Sequence, residues 1–361
     1  MNFAMTHYRF SSNLLLSLCL LLLSACDDYL HSDFPDISPA EHYQATTIIN
    51  RLPATTTTPT VMTWNIKFGG ARIDFFFDCF GNRVLMTENE VLTNMKAVAN
   101  RIRLINPDII YLQEVDIRSK RSAYINQMQY LLDNTDLNYG VYASQWRSDF
   151  VPSDGIGPID SGNAILSKWP ITNATRHSLP LIAEQDSLTQ YFYLRRNYIK
   201  AQTIPDGSTT LHMIASHTSA YASDNTKQRQ LQIIHNAAKN LNDAGHAVLV
   251  GGDFNTLPPG ELMRSGFADV VCTDPDFTGG DYSNEGTWIQ PFYTTFNPAI
   301  VSPENNAAHY TYSAEPASTP PTLNRKLDYL FTNGTFNPGT TDQTAVQLSD
   351  HVPVYTTVQA Y

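Results

Sequence analysis

An apolar segment that ends in two glycines and an acid constrains the fold of this chain more than any other feature. Residues 247–250 are small or branched apolar residues, which predict a buried β-strand, and Gly251 and Gly252 then allow another backbone to approach closely. Asp253 and Asn255 follow, and side chains two positions apart on an extended chain point the same way. The segment predicts either a turn that ends a strand or two side chains that face one ligand.

Two earlier strands also end in polar residues. Residues 61–66 are β-formers that include Asn65, and residues 108–116 are an apolar run that includes Glu114. A carboxylate that ends a buried strand costs free energy unless a positive group meets it. A metal ion would meet Glu114, and so would a salt bridge to Arg118 or Arg121, so both interpretations stay open at this point.

Helices are predicted between these strands, and the alternation indicates an α/β protein. Thr87 and Glu90 form the pattern of a capping box, and apolar residues then recur on one helical face as far as residue 105. A second amphipathic helix is predicted over residues 224–244, and a strand is predicted over 191–202.

Further polar side chains stand at the ends or mouths of predicted strands. They are Asn163, His217, Asp328, Asp350 and His351. The pair of Asp350 and His351 lies between Ser349 and Pro353, and such a pair is seldom needed for packing. These positions are the candidates for chemistry.

The chain contains seven short motifs whose types and order resemble those of the endonuclease/exonuclease/phosphatase superfamily of divalent-metal phosphohydrolases. The resemblance covers nearly all of residues 61–361. The motifs are T-W-N at 63–65, Q-E at 113–114, G-N-A-I at 162–165, S-H-T at 216–218, G-D-F-N at 252–255, L-D-Y at 327–329 and S-D-H-x-P at 349–353. The resemblance implies a four-layered α/β sandwich, in which two mixed, mainly antiparallel sheets pack face to face with helices outside.

The resemblance also implies roles for individual residues. Glu114 is expected as the main metal ligand, helped by Asn65 and Asp350, and oxygen ligands suit Mg²⁺ or Mn²⁺ better than Zn²⁺. Asp253 and Asn255 are expected to position and activate the attacking water, with Asp253 as the general base. The expected substrate is a phosphate ester.

The remaining candidates are expected to act on the phosphate and the leaving group. His351, oriented by Asp328, would bind the phosphate in the transition state or move a proton. His217 would be the general acid for the leaving oxygen, and a buried structural histidine is the alternative. Asn163 is expected to touch the phosphate.

The N-terminus predicts export and a lipid anchor. Residues 1–25 contain a leucine-rich run that is too short to span a bilayer and fits a signal peptide. Small residues then precede Cys26, as in the lipobox of bacterial lipoproteins, whose cysteine is acylated; an ordinary signal peptide with a coincidental cysteine is the alternative. Residues 26–60 are polar and rich in proline and threonine, which predicts a tether to a domain at 61–361.

Charge bears on the partner. The formal net charge is −11, and residues 1–25 hold Arg9 and no acid, so the processed chain is more acidic still. Nucleic-acid binders usually show a basic footprint, so a lipid headgroup or small organic phosphate is slightly favoured over DNA or RNA.

A monomer in the bacterial cell envelope is expected. A non-catalytic surface binding module remains an alternative. Cys79 and Cys272 could pair, and the loop at 273–306 is expected to shape substrate choice.

Overall fold

The computed structural model describes residues 34–49, 53–78, 81–151, 153–220, 222, 224–265, 267, 282–301, 306–315 and 321–360. The predicted signal peptide, Cys26, Cys79, Cys272 and residues 273–281 and 302–305 of the predicted loop lie outside these residues. The described part of that loop contains a short helix at Gln290–Thr295 and a strand at Asn297–Pro298, so the prediction of a loop is wrong there. Within the described ranges, no helix is long and apolar enough to cross a membrane.

Two β-sheets and five α-helices make up most of the described chain. The helices are α1 (Glu88–Ile105), α2 (Gln127–Asn134), α3 (Ser187–Phe192), α4 (Thr226–Asp243) and α5 (Gln290–Thr295). The first sheet has the order β1 (Ile37–Pro39), β7 (Thr172–Ser178), β8 (Asn197–Thr203), β9 (Leu211–His217), β10 (Ala247–Asp253), β12 (Asp328–Thr332), β11 (Asn297–Pro298). The second has the order β13 (Thr335–Phe336), β15 (Val354–Ala360), β3 (Thr60–Asn65), β4 (Ile109–Asp116), β6 (Gly157–Ser167), β5 (Tyr139–Val151), β2 (Glu41–Gln44), with β14 (Thr340–Thr341) also on β15.

Each sheet contains one parallel pair of strands that a helix connects. β3 and β4 are parallel across α1, and β9 and β10 are parallel across α4, whereas the other named pairs are antiparallel. Parallel neighbours need such a crossover, and their carboxyl ends meet at one edge of the sheet. Asn65 therefore lies beside Gln113, and His217 lies beside Asp253.

The sheets pack face to face and the longer helices cover their outer faces, so the predicted four-layered sandwich is confirmed. Tyr111 of β4 is fully buried between the sheets, and its hydroxyl donates to the Leu249 carbonyl of β10 (3.1 Å). Apolar residues of α1 and α2 pack on the second sheet, and those of α4 and α5 pack on the first. The polar strand ends at one edge of both sheets are thus held by buried structure on each side.

The predicted start of α1 is confirmed. The Thr87 hydroxyl accepts from the Glu90 N–H (3.3 Å), and the Glu90 carboxylate accepts from the Thr87 N–H (2.8 Å), which is a complete capping box. Such a cap stabilises a helix by about 1 kcal/mol. The helix ends where Asn106 takes a left-handed conformation.

The tether predicted over residues 26–60 is wrong for residues 37–44. These residues form β1 and β2, which pair with β7 and β5 at the edges of the two sheets. Ala40 and Ala45 are buried beside them. Strands of three and four residues are too short to show an apolar period, which is why composition alone indicated a tether.

The strand predicted over residues 191–202 begins only at Asn197. The residues before it form α3, a short helix that Asp186 caps by accepting from the Leu188 and Thr189 N–H groups (2.9 and 3.1 Å). Both segments border the cavity described next.

Candidate active site

A cavity of about 650 Å³ opens at the edge where both parallel pairs end. Six of the nine residues predicted for metal binding, catalysis and substrate contact line it: Glu114, His217, Asp253, Asn255, Asp350 and His351. Asn65 and Asp328 lie behind them and hold them by hydrogen bonds. The fold thus brings together residues that are as far apart in sequence as 65 and 351.

Glu114 reaches the cavity through a break in β4. The pairing of β4 with β6 shifts between Leu112 and Val115, and Glu114 itself has a φ of +56°. A β-bulge of this kind redirects a side chain, and a positive φ on a residue with a side chain costs free energy that persists at functional sites. Local backbone strain therefore turns the Glu114 carboxylate toward the cavity.

The side-chain amide of Asn65 joins the two sheets at this edge. Its Nδ2 donates to Glu114 Oε1 (3.0 Å) and to Asp253 Oδ2 (3.1 Å). Its Oδ1 accepts from the Lys67 N–H (3.0 Å), so in this geometry Asn65 orients Glu114.

Glu114 and Asp350 form a close acidic pair. Burial and the neighbouring Asp350 raise the pKa of Glu114. Burial acts against ionisation of Asp350 as well, but Lys67 and His351 outweigh it and lower the pKa of Asp350. The Lys67 ammonium lies 4.0 Å from Asp350 and 2.8 Å from Asp78. Because Lys67 is shared between Asp78 and Asp350, and Glu114 adds a further carboxylate, the site carries excess negative charge. A bound cation would stabilise it.

Asp253 lies at the end of β10 on the opposite side of the Asn65 amide. Its pKa is raised to about 7 by burial and by Asp328, although His351 acts to lower it. The close approach to β9 depends on Gly252, since a Cβ there would lie 1.9 Å from the Ser216 carbonyl oxygen. The two glycines before Asp253 therefore serve packing, and the acid is available for chemistry.

His351 lies between two carboxylates. Its Nδ1 is 2.8 Å from Asp328 Oδ2, and its Nε2 is 3.6 Å from Asp253 Oδ2. Burial disfavours the charged ring, yet Asp328 and Asp253 together raise the pKa of His351 to about 10. The His351 ring is therefore a buried imidazolium at neutral pH.

His217 has the opposite electrostatic character. Burial, Arg196 and His351 hold its pKa well below the ordinary value, so the ring is neutral. Its Nε2 lies 3.2 Å from Asp253 Oδ2, which places the ring proton on Nε2. Among the described residues, Nδ1 has no hydrogen-bond partner.

Asn255 and Asn163 lie at different depths. Asn255 has a φ of +46°, and its Nδ2 donates to the Thr218 carbonyl (3.1 Å) at the cavity wall. Asn163 is fully buried opposite the bulge of β4 and donates to Asn197, and it is not among the cavity-lining side chains. The predicted contact of Asn163 with a phosphate stays a prediction.

Two groups of side chains could hold a metal ion. Ligand atoms of Asp253, Asp328 and His351 lie within 4.8 Å of one another. A metal there would have to displace the proton of His351, whose pKa Asp328 and Asp253 raise to about 10, and this competition weakens metal binding at His351. Glu114 and Asp350 offer only carboxylate oxygens to the cavity and lack a full countercharge. The donor chemistry therefore fits a metal at Glu114 and Asp350 better.

Sequence reasoning missed two cations that line the cavity, Lys67 and Arg196, whereas Arg121, considered above as a partner of Glu114, lines it together with Arg325. Lys67 follows Asn65 by two residues, a spacing that could have indicated a shared position. Arg121 makes a bidentate pair with Asp116 (2.9 Å for both bonds) and acts on Glu114 only through its charge, which favours the ionised carboxylate without reversing the raised pKa, and Arg118 pairs with Asp160 (2.7 Å). The salt-bridge interpretation of Glu114 is thus not what the fold shows.

A cleft at the edge of a two-sheet sandwich, with paired acids beside two histidines, is typical of a hydrolase. The sequence profile of the Endonuclease/Exonuclease/phosphatase family matches residues 62–351. The chain belongs to this family of nucleases and phosphatases, whose enzymes are generally dependent on a divalent metal. No curated protein sequence matches the chain.

Solved structures show the same fold at low sequence identity. A family protein of Beutenbergia cavernae is 18% identical, with a TM-score of 0.58 over 84% of this chain and 72% of that one. A family protein of Bacteroides vulgatus is 16% identical, with a TM-score of 0.52 over 85% of this chain and all of that one. The human Nocturnin catalytic domain is 16% identical, with a TM-score of 0.51 over 88% of this chain and 96% of that one.

Proposed function

We propose that this protein is a Mg²⁺- or Mn²⁺-dependent phosphoesterase that hydrolyses a phosphodiester or phosphomonoester. One observation carries the proposal: the Asn65 amide bonds at once to Glu114, in the acidic pair, and to Asp253, in the histidine group. Metal ligands and proton-transfer groups thus face one cavity within the reach of a single phosphate.

Glu114 and Asp350 would hold the metal, and Asn65 keeps Glu114 in place. When bound, the metal supplies positive charge that polarises a phosphoryl oxygen. Lys67 limits the repulsion between the acids beside it. This side of the cavity serves to bind and neutralise the phosphate.

Asp253 would take a proton from the attacking water, since a pKa of about 7 suits a general base near neutral pH. Asn255 holds the loop beside it by its bond to Thr218. His351, kept protonated by Asp328, would donate to a phosphoryl oxygen as negative charge develops. His217, neutral with its proton on Nε2, would donate a hydrogen bond to the leaving oxygen, and the general-acid role expected for it would require a protonated ring.

A lipid headgroup or a small organic phosphate is the substrate we favour, because the net charge of −11 disfavours a polyanion. An endonuclease acting on DNA or RNA is the second candidate, since its motifs are the same. We also propose that the chain is a monomeric bacterial lipoprotein, anchored at Cys26 outside the cytoplasm, with residues 1–25 removed.

Substrate class is tested by giving the purified protein sphingomyelin, plasmid DNA and bis-p-nitrophenyl phosphate with Mg²⁺. We expect turnover of the small ester and of the lipid to exceed DNA nicking. Rapid nicking without lipid turnover would instead assign the nuclease function. Absence of hydrolysis of all three would favour the non-catalytic binding module.

The anchor is tested by mass spectrometry of protein extracted from membranes. We expect an N-terminal peptide that begins at acylated Cys26. An unmodified terminus further along the chain would refute the anchor without affecting the proposed catalysis.

A further inference from the structure

One part of the cavity wall beyond the catalytic edge is apolar. Phe76, Phe77, Trp146 and Val151 form one wall, and Leu188 and Phe192 of α3 form the next. We call these six side chains the apolar chamber. It belongs to the same cavity as Glu114 and His351, so a ligand that fills it also reaches the catalytic groups.

The chamber is a built structure that spans two segments of the chain. Phe76, Trp146 and Val151 pack in one small cluster with Ile156 and Ile159. The Trp146 Nε1–H donates to the Phe192 carbonyl oxygen (2.8 Å) and so fastens α3 to β5. The apolar surface of α3 is therefore held over the cavity by a defined hydrogen bond.

Apolar surface continues outward from the chamber to solvent. Leu188 is 70% exposed although it lines the cavity, and Phe150, next to Val151, is 52% exposed. Exposed apolar side chains that adjoin a cleft are typical of a surface that binds an apolar ligand. The chamber thus has an open end along which a long chain can extend.

Charge at this end of the cavity argues against a polynucleotide. Glu184 is exposed just before α3, and Asp186, its N-cap residue, is exposed as well. These two carboxylates precede the apolar residues of α3 and would repel a phosphate backbone along this helix, whereas the cations of the cavity, Lys67, Arg121, Arg196 and Arg325, lie in its lining. An uncharged aliphatic chain meets no such repulsion.

We propose that the apolar chamber binds the aliphatic chain of a phosphate ester, and that it makes the enzyme selective for phosphate esters whose alcohol carries a long alkyl or acyl chain. The proposal rests on the proposed phosphoesterase function and adds its substrate class. The chain would lie between Trp146 and α3, with its phosphate at Glu114 and His351.

The test is a series of alkyl p-nitrophenyl phosphates with methyl, butyl and octyl chains, assayed with Mg²⁺ below their micellar concentrations. Water attacks phosphorus, the bond to the nitrophenyl oxygen breaks, and the alkyl phosphate and p-nitrophenol are released, so the leaving group is constant. We expect kcat/KM to rise at least about tenfold from methyl to octyl, because each methylene enters an apolar site. A value independent of chain length would overturn the proposal.

Variants on α3 test whether the chamber causes the selectivity. Phe192→Ala and Leu188→Ala should reduce the preference for octyl while leaving turnover of the methyl ester within about twofold. Leu262→Ala is the matched control, since Leu262 is an exposed leucine like Leu188 but does not line the cavity. Equal effects of Leu262→Ala and Leu188→Ala would contradict the proposal.

A measurement of phosphonate binding tests the apolar chamber independently of the proposed phosphoesterase activity. Calorimetric titration with methylphosphonate and octylphosphonate in Mg²⁺ needs no turnover, and we expect octylphosphonate to bind at least about tenfold more tightly. Tighter octyl binding without any hydrolysis would sustain the chamber and refute the catalysis, whereas equal binding refutes the chamber. Dihexanoyl phosphatidylcholine in solution and phosphatidylcholine vesicles then show whether the chain comes from a free ester or from a membrane.

Discussion

The two sheets contribute opposite kinds of chemistry to one cavity. The second sheet provides Glu114 and the loop before β15 provides Asp350, and we call these two residues the metal side. The two acids are close together, and the pKa of Glu114 is raised. The first sheet provides His217 and Asp253, which with His351 we call the proton side; on it one ring is neutral and one is protonated. Each sheet contains a parallel strand pair joined by a helix, yet the two pairs contribute different chemistry. The pair in the second sheet contributes a group that binds a cation, and the pair in the first sheet contributes groups that transfer protons.

The largest effect is expected on the metal side. Glu114→Gln should lower turnover of bis-p-nitrophenyl phosphate by about 10³-fold or more, because several kcal/mol of charge stabilisation depend on the bound metal. Steady-state kinetics over a Mg²⁺ series measure it. The fold should persist, because burial and Asp350 both disfavour the ionised form of Glu114 in the metal-free protein, and glutamine removes that unfavourable charge. Turnover equal to the unaltered protein would remove Glu114 from the metal side.

His351→Gln should be the next largest change. Loss of the imidazolium should lower kcat by about 10³-fold, within the range for acid–base groups. In the unaltered protein the activity should fall at high pH, where His351, with its pKa of about 10, loses its proton. A pH–rate profile gives the comparison, and an alkaline limb that stays in His351→Gln would assign that limb to another group.

His217→Gln should have a smaller effect, of about 10²-fold on kcat. Its pKa is held well below the ordinary value, so the ring should stay neutral throughout the pH range in which His351 stays charged. Nitrogen-15 NMR of the labelled histidines at pH 7 separates the two states. Two imidazolium rings, or two neutral ones, would remove the electrostatic contrast between these histidines.

The smallest effect concerns the pH dependence of stability without metal. The pKa of Asp253 is raised from 3.8 to about 7, so its contribution is present at low pH and is lost as pH rises through about 7. The pKa of His351 is raised from 6.5 to about 10, and its contribution is lost as pH rises through that higher window.

Urea unfolding in EDTA at several pH values measures these contributions. Asp253→Asn should flatten the decline between about pH 4 and 7, and His351→Gln should flatten the decline at higher pH. Unchanged pH profiles in both variants would show that these two groups are not coupled as the structure indicates.

The sequence predicted the proton side and the metal side unequally well. Asp253 and His217 end regular strands, so their position at a common edge followed from the apolar runs before them. Glu114 points into the cavity only because β4 bulges and φ becomes positive, which no local pattern revealed. Arg196 was missed because the cavity residues around it come from distant parts of the chain, whereas Lys67 was missed although it follows Asn65 by two residues.

The apolar chamber and the edge strands were outside the reach of sequence patterns for similar reasons. α3 has only six residues, and the hydrogen bond from the Trp146 Nε1–H to the Phe192 carbonyl oxygen helps to hold it over the cavity. β1 and β2 are stabilised by pairing with strands more than ninety residues away in sequence. Long-range pairing of short elements leaves little local signal.

Calorimetric titration with Mg²⁺ tests the division of the cavity most directly, because Asp253, Asp328 and His351 are the competing metal site. The account predicts that Glu114→Gln weakens Mg²⁺ binding at least about tenfold, in line with loss of a metal ligand, whereas His351→Gln binds within about threefold of the unaltered protein. Loss of Mg²⁺ binding in His351→Gln with binding retained in Glu114→Gln would place the metal among Asp253, Asp328 and His351 and contradict the account.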